Sequence, residues 1–352
     1  MVEKTIFTGQ RYINLKTRPG FLILALSSLV TGCGNDLVVM APYKSIPVVH
    51  CIINPKADTQ YLRLGKSFMG EADAYQMARQ EDSVYYPDAL VYLERWADGE
   101  LKDQHPMEKV KLSPRDSGVF VSEPNYVYRS TARLRNEGEF RLNIHIPSID
   151  LDVSAVTQVV SEFRAIRPES YKKNLAFSTY DNYETVEWVT APSTRIYQLS
   201  IRFHYLEVIK EDTAFKTALW NIATFISEDD DGGQTFISEI LHRNFYAWLA
   251  NTLDKPSSGM LRLAHHQALD FVFTVGGDEL YTYMQIYGED PGILKEKPVY
   301  TNIVNGIGLF SSRFEQSIPG KALSNSSIDS LSYGMYTKDL GFGDSLNDYY
   351  IK

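Results

Sequence analysis

The feature that most constrains this fold is alternation. In Phe140-Arg-Leu-Asn-Ile-His-Ile146 the apolar side chains fall at 140, 142, 144 and 146. That period of two turns one face of an extended chain into a core and the other toward water. Shorter stretches of the same character precede it at Pro47–Ile53 and at residues 61–64, 89–96, 110–112, 119–121 and 126–134. Residues 71–79 read as a short helix. Asn54-Pro55 and Asp98-Gly99 punctuate the series, and Asp-Gly between two strands is a tight-hairpin signal. Six or seven short strands in roughly 110 residues predict an immunoglobulin-like β-sandwich over residues 46–165.

The strand pattern continues over 153–163 and gives way to a polar junction near 167–174. It then resumes at 185–189, 195–208, 218–226, 260–263, 268–275 and 280–285. Ile237, Ile240, Leu241, Phe245, Trp248 and Leu249 form one helical stripe, so a helix is expected near 236–250. Residues 327–336 read as a terminal helix. The expected organisation is therefore mainly β. A β-sandwich (46–165) is followed by a second β-rich domain (175–352) with one or two packed helices. A length of 352 residues suits two domains, and 12% aromatic content, with 23 tyrosines, suits packed β structure rather than disorder.

Residues 21–33, Phe-Leu-Ile-Leu-Ala-Leu-Ser-Ser-Leu-Val-Thr-Gly-Cys, fix an expectation about location. An apolar run of about ten residues is too short to span a bilayer and suits a signal-peptide core. It follows Lys4, Arg11, Lys16 and Arg18 against one acid, Glu3, and ends in Val30-Thr31-Gly32-Cys33. The whole reads as a lipoprotein signal peptide (1–32), with Cys33 carrying the lipid and 33–45 acting as a tether. Cleavage removes a formal charge of +3, taking the net charge from −9 to −12. An acidic chain repels nucleic acid and anionic membrane, which argues against both as partners. With Cys33 acylated, Cys51 has no disulfide partner and reads as an inert thiol in a buried strand.

Chemistry is sparse. The sequence contains no His-Glu-x-x-His, no paired Cys-x-x-Cys, no Gly-x-Ser-x-Gly and no phosphate- or dinucleotide-binding glycine motif. No cofactor is expected. His265 and His266 are adjacent, so on a strand they would point to opposite faces. His145 falls on a polar strand phase. Glu228-Asp-Asp-Asp-Gly-Gly233 makes Asp229 and Asp231 weak Ca²⁺ candidates. It lacks the third alternate ligand and the distal bidentate Glu of a calcium loop, and Glu239 falls on the expected helix. Asp73, Asp82, Glu94, Glu207 and Glu211 give no carboxylate pair that the sequence alone can place at glycosidase separation. Trp96, Trp188, Trp220 and Trp248 lie in phases typical of core. Gly306 and Gly308 within 302–310 permit a bulge or turn closing the second domain, or a contact with another chain.

Taken in order, several segments resemble a family of uncharacterised Bacteroidota lipoproteins often encoded beside TonB-dependent transporters. They are Val30-Thr-Gly-Cys33, Pro47-Val-Val-His-Cys-Ile-Ile-Asn-Pro55 and Ser154-Ala-Val-Thr-Gln-Val-Val160. Further on come Ile196-Tyr-Gln-Leu-Ser-Ile-Arg-Phe-His-Tyr-Leu-Glu207 and Tyr300-Thr-Asn-Ile-Val-Asn-Gly-Ile-Gly-Leu-Phe-Ser-Ser312. The resemblance implies an outer-membrane lipoprotein of two β domains, lipidated at Cys33 and partnering a β-barrel transporter, with no catalytic residues to carry over. Surface-displayed members of this class carry several acids after the cysteine. Gly34-Asn35-Asp36-Leu37 has one, which leaves the membrane face open. Two other readings stay open: a hydrolase of surface glycans or peptides, and a structural subunit of a surface appendage.

Overall fold

The period-two pattern at Glu139–Ile146 becomes strict alternation of buried and half-buried residues in the computed structural model, which describes residues 43–69, 73–116, 118–288 and 299–347. The molecule is mainly β, built on one large curled sheet. Its first half contains β1 (Pro47–Ile53), β2 (Gln60–Lys66), β3 (Leu90–Ala97), β4 (Glu100–Leu112), β5 (Asn125–Ser130), β6 (Glu139–Ile146) and β7 (Leu151–Gln158). Two short helices, α1 (Ala74–Met77) and α2 (Glu81–Val84), lie between β2 and β3. The hairpin signal is met: β3 and β4 pair up to Ala97↔Glu100, and Asp98 (φ 54°) and Gly99 (φ 75°) form the two-residue turn.

β4 makes the sheet fold over. It pairs with β3 as far as Met107↔Val91 and with β5 from Glu108↔Arg129 onward. Strands on either side of that switch face one apolar core, which holds Val49, Cys51 and Leu62 from one flank and Leu93, Phe140 and Val153 from the other. Residues 119–121, expected as a strand, form an irregular loop tied to α1's end by Val121 N–H donating to Ala78 O at 2.8 Å.

The second half adds β8 (Arg164–Arg167), β9 (Asn174–Leu175), β10 (Tyr183–Val189), β11 (Ile196–Ile209), β12 (Asp212–Ile226) and β13 (Thr235–Leu241). It continues with α3 (His242–Thr252), β14 (Met260–Gly276), α4 (Asp278–Gly288), β15 (Ile303–Val304), β16 (Ile307–Leu323) and α5 (Asn325–Tyr333). The long strands run in the order β12-β11-β14-β16, and a three-stranded sheet, β13-β10-β8, shares their core. Trp188, Phe203, Phe271, Phe273 and Phe245 are all fully buried there.

Two expectations are corrected here. The helix read over 236–250 is a strand followed by a helix: 235–241 pairs residue for residue with β10, and α3 starts at His242. Ile237, Ile240 and Leu241 keep the helical spacing, but pairing along the edge of β10 makes the segment a strand whose inward phase is Phe236, Ser238 and Ile240. Ile237 is consequently exposed, which a core-facing helical stripe would not allow. Residues 280–285 are helical rather than extended, within α4, whose first turn carries Asp278 and Glu279 where the helix dipole favours acids.

β16 joins the halves. Residues Ile307–Ser312 lie parallel to β1, and Arg313–Lys321 lie antiparallel to β14. Phe310 accordingly sits in the first core and Phe314, four residues on, in the second. The turn at 302–310 therefore closes the sheet of the first half, not the second: Ile303 pairs with Ala155, and Asn302 bonds both polar backbone groups of Phe310. From Ser45 on, the described residues form one compact unit.

Candidate functional site

The outer face of β1 and β2 is where the molecule becomes concave. His50 on β1 stands directly across from Arg63 on β2, and Val48 across from Gly65. Period two sends these four outward because Val49, Cys51, Leu62 and Leu64 point into the core. A small apolar cluster of Val84, Tyr85 and Val121, with Phe68 and Tyr126, packs above the sheet at one side. Tyr85 is pinned by its hydroxyl donating to Pro124 O at 3.1 Å and by an edge-on contact with Tyr126 at 5.4 Å. Between cluster and strands lies a cleft of about 440 Å³, in the range of small-ligand sites.

Its walls are apolar, with Val48, Phe68, Val84 and Phe120; its charged groups are all cationic, Arg63, Lys66 and Arg115, and His50, Ser67 and Tyr85 add uncharged polar edges. No carboxylate lines it. Arg63 Nη2 donates to Asn125 Oδ1 at 3.0 Å, while Nη1 is buried with no acceptor among the described residues. Burial, and then the neighbouring Arg115 charge, push the Arg63 guanidinium below its ordinary value. Arg115 Nη2 donates to Val121 O, which fixes the loop that carries it. His50 keeps part of its surface open. Even so, desolvation of its ring, reinforced by Arg63, holds its pKa below 6.5, so the imidazole is neutral at pH 7. Lys66 lies over the Tyr86 ring at 5.5 Å. Ser67 Oγ accepts from Ile46 N–H at 2.7 Å.

The residues singled out from sequence lie elsewhere. Cys33 and the apolar run before it fall outside the described residues. Cys51 is in the core, 1% exposed, and burial pushes its thiol up to about 12. Asp229 and Asp231 share a local turn in which Asp229 Oδ1 accepts from Asp231 N–H at 3.1 Å, and Glu239 is on β13 rather than on a helix. No cluster of three metal-type ligands occurs among the described residues.

His265 and His266 are not on opposite faces. β14 bulges between its pairings Tyr205↔Ala264 and Phe203↔Leu269, and the two rings come to 4.0 Å. His204, next to them, bonds Asp270 through Nε2 at 2.9 Å. His145 pairs with Asp152 at 2.8 Å on the exposed side of the first sheet.

The acids have structural work. Asp73 caps α1, Glu94 accepts from Trp96 Nε1 and Gln104 Nε2, and Glu207 meets the buried Arg262. Asp82 is in the first turn of α2, and Glu211 sits at the exposed tip of the β11–β12 hairpin. Trp188 is core, Trp220 stacks on Trp248 at 5.6 Å, and Arg141 covers Trp96 at 4.1 Å. No described helix is long and apolar enough to cross a membrane.

A scan against protein-family models finds no match, and a search of curated proteins finds none. Among solved structures, the chain is similar to the C-terminal globular domain of an oligosaccharyltransferase from Pyrococcus abyssi. Identity is 12%, coverage is 61% of this chain and 41% of that one, and the TM-score is 0.23. The chain thus spans less than half of that domain's chain, and a likeness so slight carries no argument about activity.

Proposed function

We propose that this chain is a lipid-anchored accessory protein of a bacterial outer membrane, working as a binding protein rather than a catalyst beside a β-barrel nutrient transporter. Acylated Cys33 is its attachment. Residues 46–165 are an immunoglobulin-like module and the second half a β-rich companion. The observation that carries the binding reading is the cleft on β1 and β2: apolar walls, convergent cations and no lining carboxylate. Such a site holds an anion in place but offers no paired acid and base for proton transfer. The basic, apolar, small-residue-Cys order of residues 4–33 supports the anchor. Two acyl chains make membrane attachment stable, and confinement to the bilayer plane raises the effective concentration near a co-resident barrel.

The test is fractionation and intact mass. The parent chain is expected in the membrane pellet, processed to Cys33 and heavier by its lipid, and Cys33→Ser in the soluble fraction. Equal sedimentation and equal mass behaviour of the two would end the anchoring proposal. Recovery of the parent alone from mild detergent, at native expression, would end the transporter partnership.

A further inference from the structure

We propose that the β1–β2 cleft binds an amphiphilic monoanion, its carboxylate seated between the Arg63 and Arg115 guanidiniums and its apolar body against Val48, Phe68 and Phe120. This deepens the binding-protein reading above and rests on it. Arg63 supplies the first reason. One of its terminal nitrogens is satisfied by Asn125 and the Tyr85 hydroxyl also lies against the guanidinium, whereas Nη1 is removed from water with no acceptor among the described residues. A buried charged donor without an acceptor is costly, and a turn of the Arg63 fork toward the cleft would let an incoming oxyanion supply the acceptor.

The second reason is charge balance. Neither Arg63 nor Arg115 takes part in an ion pair among the described residues, although twelve other lysines and arginines each form one. In a chain of net charge −9, two adjacent guanidiniums without a carboxylate are a local departure from the surface at large.

The walls set the rest of the ligand. Apolar lining rewards an apolar body by about 25 cal/mol per Å² removed from water. It also penalises each further charge brought out of water, so one negative charge suits the site better than two. A planar carboxylate matches the guanidinium fork, and neutral His50 adds a hydrogen-bonding edge without a third charge. Gly65 leaves the floor open: a Cβ there meets only Val84 O at 3.4 Å and Val48 O at 4.0 Å, so a larger side chain can be accommodated by the backbone while occupying the cleft.

The experiment is isothermal titration of the full chain carrying Cys33→Ser, free of lipid and detergent, with sodium decanoate, methyl decanoate and decyl phosphate. Decanoate is expected to bind at one site. The neutral ester should bind at least about ten-fold more weakly, the loss expected for one charge-assisted hydrogen bond, and decyl phosphate more weakly than decanoate. Arg115→Gln and Arg63→Gln should each weaken decanoate about ten-fold or more, and Gly65→Val should abolish it. Arg115 is on a loop, so that variant carries the test if Arg63→Gln fails to fold by circular dichroism.

No decanoate heat at millimolar concentration, equal binding of acid and ester, or Arg115→Gln indistinguishable from the parent would overturn the proposal. Tighter decyl phosphate would overturn the carboxylate assignment. Because the titration contains no lipid anchor, its failure leaves membrane fractionation untouched, and a fractionation failure leaves the titration valid.

Discussion

Gly308→Ala tests the claim that β16 is the seam between the two cores. Gly308 has φ +124°, a conformation that side-chain-bearing residues rarely adopt, and pairs with Val49 in the parallel β1–β16 ladder. A Cβ at this position would stand 1.9 Å from Val49 O and 2.8 Å from Val49 C. Bringing that C···O contact to about 3.3 Å requires the strands to part by about 1.4 Å. Ladder bonds lengthened that much leave hydrogen-bonding range. The φ strain costs about 1–3 kcal/mol, and two backbone bonds lost in a buried sheet cost about 1–3 kcal/mol together. The expected loss is therefore about 2–6 kcal/mol, a large part of the total stability of an ordinary domain.

Gly99→Ala is the matched control: φ is again positive, at +75°, but no atom lies within 4 Å of the added carbon. It should cost only the conformational strain, about 1–2 kcal/mol. Urea unfolding followed by tryptophan fluorescence measures both. If Gly308→Ala costs no more than Gly99→Ala, the β1–β16 seam does not hold the molecule as argued.

Arg262 is 4% exposed and donates to Glu207 Oε1 and to the backbone oxygens of Asp254 and Leu340. Arg262→Met should cost about 3–5 kcal/mol by stranding Glu207. Adding Glu207→Leu should recover part of that loss in the same unfolding assay, and an additive double mutant would contradict it.

Burial raises the Glu279 carboxyl above its ordinary 4.5, against opposing bonds from Thr157 and Ser311. The folded state thus holds that proton more tightly, and the stability so gained is complete below 4.5 and lost as pH rises through the folded value. The advantage of Glu279→Gln over the parent should grow with pH between 4.5 and neutrality, and a flat or inverted difference refutes the assignment. Cys51, at about 12, should resist an aromatic disulfide reagent at pH 8 in the native Cys33→Ser protein and react once in urea; native reactivity would mean that β1 opens.

Local pattern was legible wherever one physical cause acted alone. Phe140–Ile146 alternates because one face is buried throughout, and Asp98-Gly99 turns because both residues accept positive φ. Legibility failed where a partner far along the chain overrides the local period. Ile237, Ile240 and Leu241 keep helical spacing, and only the edge of β10, some fifty residues upstream, makes the segment a strand. The same limit hid the bulge at His265-His266, which lies where the β11–β14 ladder changes register, just before β14 begins to pair with β16 at Leu269.

The cleft was less legible still, and for a reason that applies to sheets in general. His50 and Arg63 are each unremarkable on the outer phase of a strand, and alternation predicts for each of them an ordinary solvated side chain. What makes them a site is the register His50↔Arg63, set by the turn between β1 and β2, together with a loop that returns Arg115 and Phe120 over the same face. Register follows from which residues the core demands, so a one-residue slip would exchange these side chains with Cys51 and Leu62. The core thus positions the cleft: the apolar residues that specify β1 and β2 also force a histidine and an arginine to face each other outward. A substitution that preserves Val49, Cys51, Leu62 and Leu64 should leave that juxtaposition intact, whatever it does to the residues that line the cleft.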